Sequence, residues 1–199
     1  IGFQNRPRLF DHHIVLPEPL YERVYEVDER IDARGTIVRT MDRNTMRSQL
    51  QRTYSEGFRS LAVVFMHSYR YPTHELEFEL MASEMGFEQI SVSHKVVPLI
   101  RFIPRGDTTV IAAYLSRKLQ RYVKQVTTQL PSVRVLFMQS NGGLTSSTSF
   151  QVKDAILSGP AGGVVGMVRT AQEAGFDKII GFDMGGTSTD VSHFAGEFE

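Results

Sequence analysis

The sequence predicts an α/β fold, on three observations. Short apolar runs, LAVVFM at 61–66, VRVLFM at 133–138 and KIIGF at 178–182, have strand rather than helix length. Segments of helical periodicity, roughly 10–20 residues long, separate them. Glycine- and hydroxyl-rich turns follow VRVLFM and KIIGF, where open α/β sheets place their ligands.

The elements follow in chain order. The first twenty residues hold three prolines and little periodicity, and read as an extended arm. Leu20 to Ile31 partly alternates, which predicts a strand, and Asp32 to Gly35 reads as a turn. Asp42 opens a helical segment that stops at Gly57, with Met46, Leu50, Tyr54 and Phe58 recurring every four residues. Leu61 to Met66 is expected to be a strand covered on both faces. Pro72 and Thr73 introduce a second helix ending near Gly86, and Gln89 to Ser93 forms a short strand. A long helix is expected over 107–129, with Asp107 or Thr108 as N-cap and Pro131 ending it. Val133 to Met138 reads as a buried strand and Phe150 to Leu157 as a short helix. Gly163 to Ala174 is helical with Gly175 as its C-cap, Lys178 to Phe182 is a strand, and another begins at Val191. No internal repeat or low-complexity tract interrupts this order.

Composition narrows the function classes. The 199 residues are 41% hydrophobic, enough for a sizeable core. Lys plus Arg and Asp plus Glu are 22 each, and this balance weighs against a nucleic-acid partner. No run of 18 apolar residues argues for a membrane span. Cysteine is absent, which excludes a disulfide scaffold, a thiolate metal site and a thiol nucleophile, and is compatible with a cytoplasmic location. The chain opens on Ile1 and stops at Glu199, a few residues past its most glycine-rich segment, so an internal fragment is expected.

Three glycine motifs carry the chemistry. In Asp183-Met184-Gly185-Gly186-Thr187-Ser188-Thr189-Asp190, a strand ends in a carboxylate and turns through two glycines. Backbone N–H groups in such a turn form a concave anion site, and the three hydroxyls add donors. Asp183 and Asp190 are hard oxygen ligands suited to Mg²⁺. An ordinary Gly-rich hairpin with an Asp cap fits the same spacing. Neither GxxxxGK[ST] nor GxGxxG is present, so a Walker A loop and a dinucleotide fingerprint are not supported. In Ser158-Gly159-Pro160-Ala161-Gly162-Gly163, with Gly166 one turn on, missing side chains admit a ligand or a closely packed segment. Gln139-Ser140-Asn141-Gly142-Gly143 ends the strand VRVLFM, as a ligand-binding edge or a plain turn. The scattered histidines form no zinc spacing. His67 and His94 either line a cleft or are satisfied boundary residues. Arg101 and Arg105 either bind an anion or form salt bridges in a solvated loop. No GxSxG motif surrounds Ser158.

FMQSNGGL at 137–144, ILSGPAGGVVG at 156–166 and GFDMGGTSTDVS at 181–192 resemble the hydantoinase A/5-oxoprolinase family. IGFQNRPRLFD at 1–11, VVFMHSYRYPTHE at 63–75 and VSHKVVPLIRFIPRGDTTVIAAYL at 92–115 extend the likeness over essentially the whole chain, leaning toward the 5-oxoprolinase branch. The resemblance implies a fragment of an actin/Hsp70/sugar-kinase-like (ribonuclease H-like) ATPase, in which two α/β domains clasp ATP and Mg²⁺. Residues 1–157 would be a partial first domain lacking the N-terminal phosphate loop. Residues 158–199 would be the interdomain connector helix and the start of the second domain. Carried onto this sequence, Gly185, Gly186, Thr187 and Ser188 would hold the β- and γ-phosphates, with Thr189 beside them. Asp183 would bind Mg²⁺ or orient the attacking group, and Asp190 would support the loop or the metal. Ser158, Gly159, Gly162 and Gly163 would form the neighbouring cleft wall, joined by Asn141 and Gly142. The implied reaction is ATP-dependent opening of a small cyclic amide, 5-oxo-L-proline to L-glutamate, in a cytoplasmic parent enzyme of glutathione metabolism that allows homo-oligomeric assembly. N-methylhydantoinase, an acetone carboxylase-like subunit and a non-catalytic actin-like nucleotide-binding module are the alternatives. Without the remainder of the parent enzyme, this piece is expected to lack activity.

Overall fold

The computed structural model describes Phe10, His13 and residues 18–198. The arm expected over residues 1–20 falls largely outside the described residues. The chain divides into two compact units, Ile1–Lys118 and Leu119–Glu199.

In the first unit the strand expected over 20–31 shrinks to β1, Arg30–Ile31, paired antiparallel with β2, Ile37–Arg39. Among the described residues no partner strand lies along 20–29 to take up its backbone groups, and Leu20, Tyr21 and Val24 stay exposed. That stretch is held instead by Val27, packed against the core, and by Glu29, whose carboxylate meets His74 Nδ1 at 2.6 Å. The turn at 32–35 forms as expected. Asp32 accepts from the N–H groups of Arg34 and Thr36, and Gly35 takes a φ of 89° that disfavours a side chain.

Helix α1, Arg43–Ser55, starts at its predicted cap. The Asp42 carboxylate accepts from Thr45 Oγ1 at 2.6 Å and Asn44 N at 3.0 Å, and these bonds lower its pKa. Met46 and Leu50 pack with Met41 and with Met81, Ala82 and Phe87 of the α2 region. Each large side chain buried there contributes about 1.5–3 kcal/mol. Helix α2, Thr73–Glu84, joins β3, Ser60–Val63, to β4, Gln89–Val92, and the two strands pair in parallel as a βαβ unit.

Strand β3 is shorter than LAVVFM predicts and is not covered on both faces, since Ser60 and Ala62 are exposed. It ends at Val63 because side chains capture the backbone beyond it. Phe65 N–H donates to Glu75, and the carbonyls of Phe65 and Met66 accept from Arg105. After the short α3, Ser93–Val96, comes α4, Phe102–Gln129. It starts five residues before the expected 107, so Asp107 and Thr108 lie inside it and neither is its N-cap. Pro104 is tolerated as the third residue, where no intrahelical N–H is required, and Thr108 Oγ1 bonds back to its carbonyl at 2.9 Å.

The described residues of the second unit hold the end of α4, two antiparallel hairpins and two further helices. Strand β5, Leu136–Met138, pairs with β6, Leu144–Ser146, and β7, Ile179–Met184, pairs with β8, Thr189–Phe194. The expected buried strand 133–138 is corrected: Val133 closes a turn onto Leu130, and only Phe137 of β5 is buried. Phe137 stacks on Phe150 at 5.1 Å between ring centres and meets Tyr122 edge-on. After α5, Val152–Ala155, helix α6 spans Ser158–Glu173. It therefore includes SGPAGG, five residues earlier than expected, with Pro160 again in the first turn. Its far end is a Schellman stop. Phe176 N–H bonds the Ala171 carbonyl, Gly175 N–H bonds that of Gln172, and Gly175 has φ 88°.

Candidate functional site

The three glycine motifs converge on α6. The hairpin β7–β8 places Asp183 opposite Asp190, Gly181 opposite Ser192 and Ile179 opposite Phe194. Directly opposite residues of an antiparallel pair share a face, so these six line one side of the hairpin. That side runs from apolar, with Phe194 buried, through small, to acidic at the turn. Contacts with α6 follow the same gradient. An ideal Cβ on Gly181 would meet Met167 Sδ at 2.0 Å and Ser192 Oγ at 2.5 Å, whereas one on Gly163 would lie 3.4 Å from Asp183 Oδ2. Gly163 and Met167 are four residues apart and share a helix face. The N-terminal half of α6 is therefore the half beside the carboxylates, and the positive end of its dipole lies toward the turn.

A neighbouring part of α6 meets the QSNGG turn. An ideal Cβ on Gly142, at φ 79°, would lie 3.1 Å from Val165 Cγ2, and one on Gly162 would lie 3.6 Å from Met138. Asn141 Oδ1 accepts from Gly143 N–H at 2.9 Å, which shapes the turn locally. Ser158 Oγ donates to the Ala155 carbonyl at 2.8 Å.

Of the predicted positions, Asp183 and Gly142 lie against residues of α6, and Ser158, Gly159, Gly162 and Gly163 lie within it. A Cβ on Gly162 or Gly163 would make ordinary van der Waals contact with Met138 or Asp183, while nothing lies within 4 Å of where a Cβ on Gly159 or Gly186 would project. The turn Gly185–Ser188 is closed by Gly185 N–H onto the Ser188 carbonyl at 3.0 Å, and residues 183–190 are all exposed. Two like charges face each other across the strands, and among the described residues no cation pairs with them, an arrangement that is unfavourable alone. A divalent cation held by two carboxylates, water and phosphate oxygens suits this donor set. Among the described residues no group of three or more His, Cys, Asp or Glu forms a self-sufficient metal cage.

In the first unit His94 and Arg105 join Glu75 and Ser93 in a polar cluster beyond the carboxyl ends of β3 and β4, while Arg101 stays exposed. Glu75, fully buried on α2, accepts four bonds: Phe65 N at 3.0 Å, Ser93 Oγ at 2.6 Å, His94 N at 3.0 Å and His94 Nδ1 at 2.7 Å. Ser68 Oγ lies 3.1 Å from Ser93 Oγ. Arg105 is buried too, and donates to the carbonyls of Leu99, Phe65 and Met66. Burial lowers its pKa, with the nearby charges of Glu75 and Tyr69 opposing. Arg105 is therefore spent on backbone and is not the exposed anion binder or solvated salt bridge of the sequence reading. His94 is satisfied by Glu75, while the buried Nδ1 of His67 has no hydrogen-bond partner. Glu75 gave no sequence signal, because a glutamate in a helix reads as a solvated face.

Two descriptions of one family match this chain: Hydantoinase/oxoprolinase over residues 105–199, and Hydantoinase/oxoprolinase N-terminal region over residues 1–86. The chain belongs to the hydantoinase/oxoprolinase family. Among curated relatives, 5-oxoprolinase 1 of Arabidopsis thaliana is 42% identical over the whole of this chain, which spans only 18% of that protein. An ATP-dependent caprolactamase from Pseudomonas jessenii superposes with a TM-score of 0.75 at 27% identity, over 94% of this chain and 29% of the other. Nucleotide-free acetone carboxylase, described with ATP-dependent acetone carboxylation, shares the fold at a TM-score of 0.79 and 24% identity, over 87% of this chain and 26% of the other. The α/β fold expected from the sequence is the fold of these proteins. Among the described residues no helix is long and apolar enough to cross a membrane.

Proposed function

We propose that this chain carries the second phosphate loop of an actin-like ATPase cleft, in a protein that couples ATP hydrolysis to opening of a cyclic amide. The observation that carries the reading is the placement of Asp183 and Asp190 on one face of the hairpin, with Gly163 beside Asp183. Backbone N–H groups and hydroxyls of Gly185, Gly186, Thr187, Ser188 and Thr189 bind the β- and γ-phosphates. Ser158, Gly159, Gly162 and Gly163, with Asn141 and Gly142, form the adjoining wall. Asp183 and Asp190 hold Mg²⁺, which supplies neutralisation of phosphate charge in the transition state. On this reading residues 158–199 are the connector helix and the start of the second ATPase domain, following a partial first domain over 1–157.

The substrate is 5-oxo-L-proline. The γ-phosphoryl group moves to the amide oxygen, releasing ADP. Water adds to the activated ring carbon and the C–N bond breaks, the nitrogen taking up a proton to give γ-glutamyl phosphate; a second water then displaces phosphate and leaves L-glutamate. The chain's own share is positioning and charge stabilisation. Similarity to 5-oxoprolinase 1 and to the ATP-dependent caprolactamase supports this choice.

The test is ADP release by a protein of the relatives' length carrying this chain, offered 5-oxo-L-proline, hydantoins or acetone. Release with 5-oxo-L-proline and formation of equimolar glutamate is expected. Preference for a hydantoin or acetone would move the protein to another branch, and nucleotide binding without turnover would favour a non-catalytic actin-like module.

A further inference from the structure

We infer that Ser140 is a positioning residue that locks the QSNGG turn onto the start of α6 and so sets where the phosphate-binding wall stands. The inference rests on the nucleotide site proposed above. Leu157, the N-cap of α6, makes no side-chain capping bond of its own. Its own backbone N–H is instead tied down by Ser140, whose Oγ accepts from Leu157 N–H at 3.0 Å. The same hydroxyl donates to the Asp154 carbonyl at 2.8 Å, and the Ser140 backbone N–H donates to that carbonyl at 2.6 Å.

Ser140 therefore bridges α5 and α6 across the elbow 155–157. A hydroxyl is suited to the place because it is small and both donates and accepts. Two residues on, a side chain at Gly142 would crowd Val165, its Cβ 3.1 Å from Cγ2, so the turn lies close to the helix at a second point. Releasing the first lets the α6 start swing, and with it the glycines beside Asp183. Small displacements of positioning groups have large kinetic consequences.

Ser140→Ala and Ser140→Thr are compared with wild type in a protein of the relatives' length carrying this chain, by KM for ATP and KM for 5-oxo-L-proline. Amide exchange at Leu157 is followed by NMR in the 199-residue chain. Ser140→Ala is expected to raise KM for ATP about tenfold, the scale of one lost partly buried hydrogen bond, with KM for the cyclic amide unchanged. Ser140→Thr, which keeps the hydroxyl, restores most of the ATP affinity. Leu157 exchange accelerates about tenfold in Ser140→Ala. An unchanged KM for ATP, both KM values rising together, or no rescue by Thr overturns the inference. A wild type that turns over no ATP with any cyclic amide overturns the functional reading instead. Leu157 exchange then decides alone, and exchange unaffected by Ser140→Ala overturns the positioning role.

Discussion

Asp183→Asn in a protein of the relatives' length is expected to lower substrate-dependent ADP release by about 10²–10³-fold, the range for loss of one preorganised electrostatic group at a reacting centre. The carboxylate lies at the acidic end of the hairpin face, across from Asp190 and beside Gly163, and among the described residues it makes no hydrogen bond or ion pair that the substitution would lose. Folding should therefore be unharmed. Asn removes one of two like charges facing each other, so the melting temperature stays the same or rises slightly. This combination separates a catalytic loss from a structural one. The check is steady-state ADP release beside a thermal melt. A variant retaining more than a tenth of wild-type turnover would remove Asp183 from the reacting centre.

Glu75→Leu should produce the largest stability loss in the chain. The carboxylate is fully buried and takes four hydrogen bonds from Phe65, Ser93 and His94. Its removal leaves several buried donors unpaired and takes away the negative charge that opposes desolvation of Arg105. The expected cost is about 3–5 kcal/mol, a large share of a domain's total stability. Urea denaturation of the 199-residue chain, followed by circular dichroism, reads it directly. Glu75→Gln keeps a carbonyl acceptor and should lose about half as much. A cost below about 1 kcal/mol for Glu75→Leu would show that the cluster does not hold the ends of β3 and β4 together.

These two residues mark what was and was not legible in the sequence. Asp183 was legible because its signal is local: a strand, a carboxylate, two glycines and hydroxyls in a row. Helix α1 was legible for the same reason, with Asp42 at the cap and apolar residues every four positions. Glu75 was not, because its four donors come from residues 65, 93 and 94 and no local pattern announces them. The same long-range capture explains why LAVVFM stopped being a strand at Val63: side chains of Glu75 and Arg105 took its backbone groups. Both misplaced helix starts share another cause. Pro104 and Pro160 look like breakers, yet in a first turn proline lacks only an N–H that the helix does not use. Strand length was overestimated at 20–31 and 133–138, because apolar residues give no sign that neighbouring backbone to pair with is missing.

At the site, sequence spacing named the motifs but not their assembly. That Gly163 faces Asp183, and Gly142 faces Val165, depends on α6 lying against both hairpins. Ser140 was named within its motif, but its role was hidden for the same reason. Its hydroxyl acts on residues 14 and 17 positions away.

The most direct measurement is a crystal structure of a protein of the relatives' length carrying this chain, grown with Mg²⁺ and a non-hydrolysable ATP analogue. The β- and γ-phosphates should lie within hydrogen-bond distance of the Gly185–Ser188 turn, with the cation held by the Asp183 and Asp190 carboxylates directly or through water. Nucleotide bound with its phosphates away from this hairpin would contradict the assignment of 183–190 as a phosphate loop.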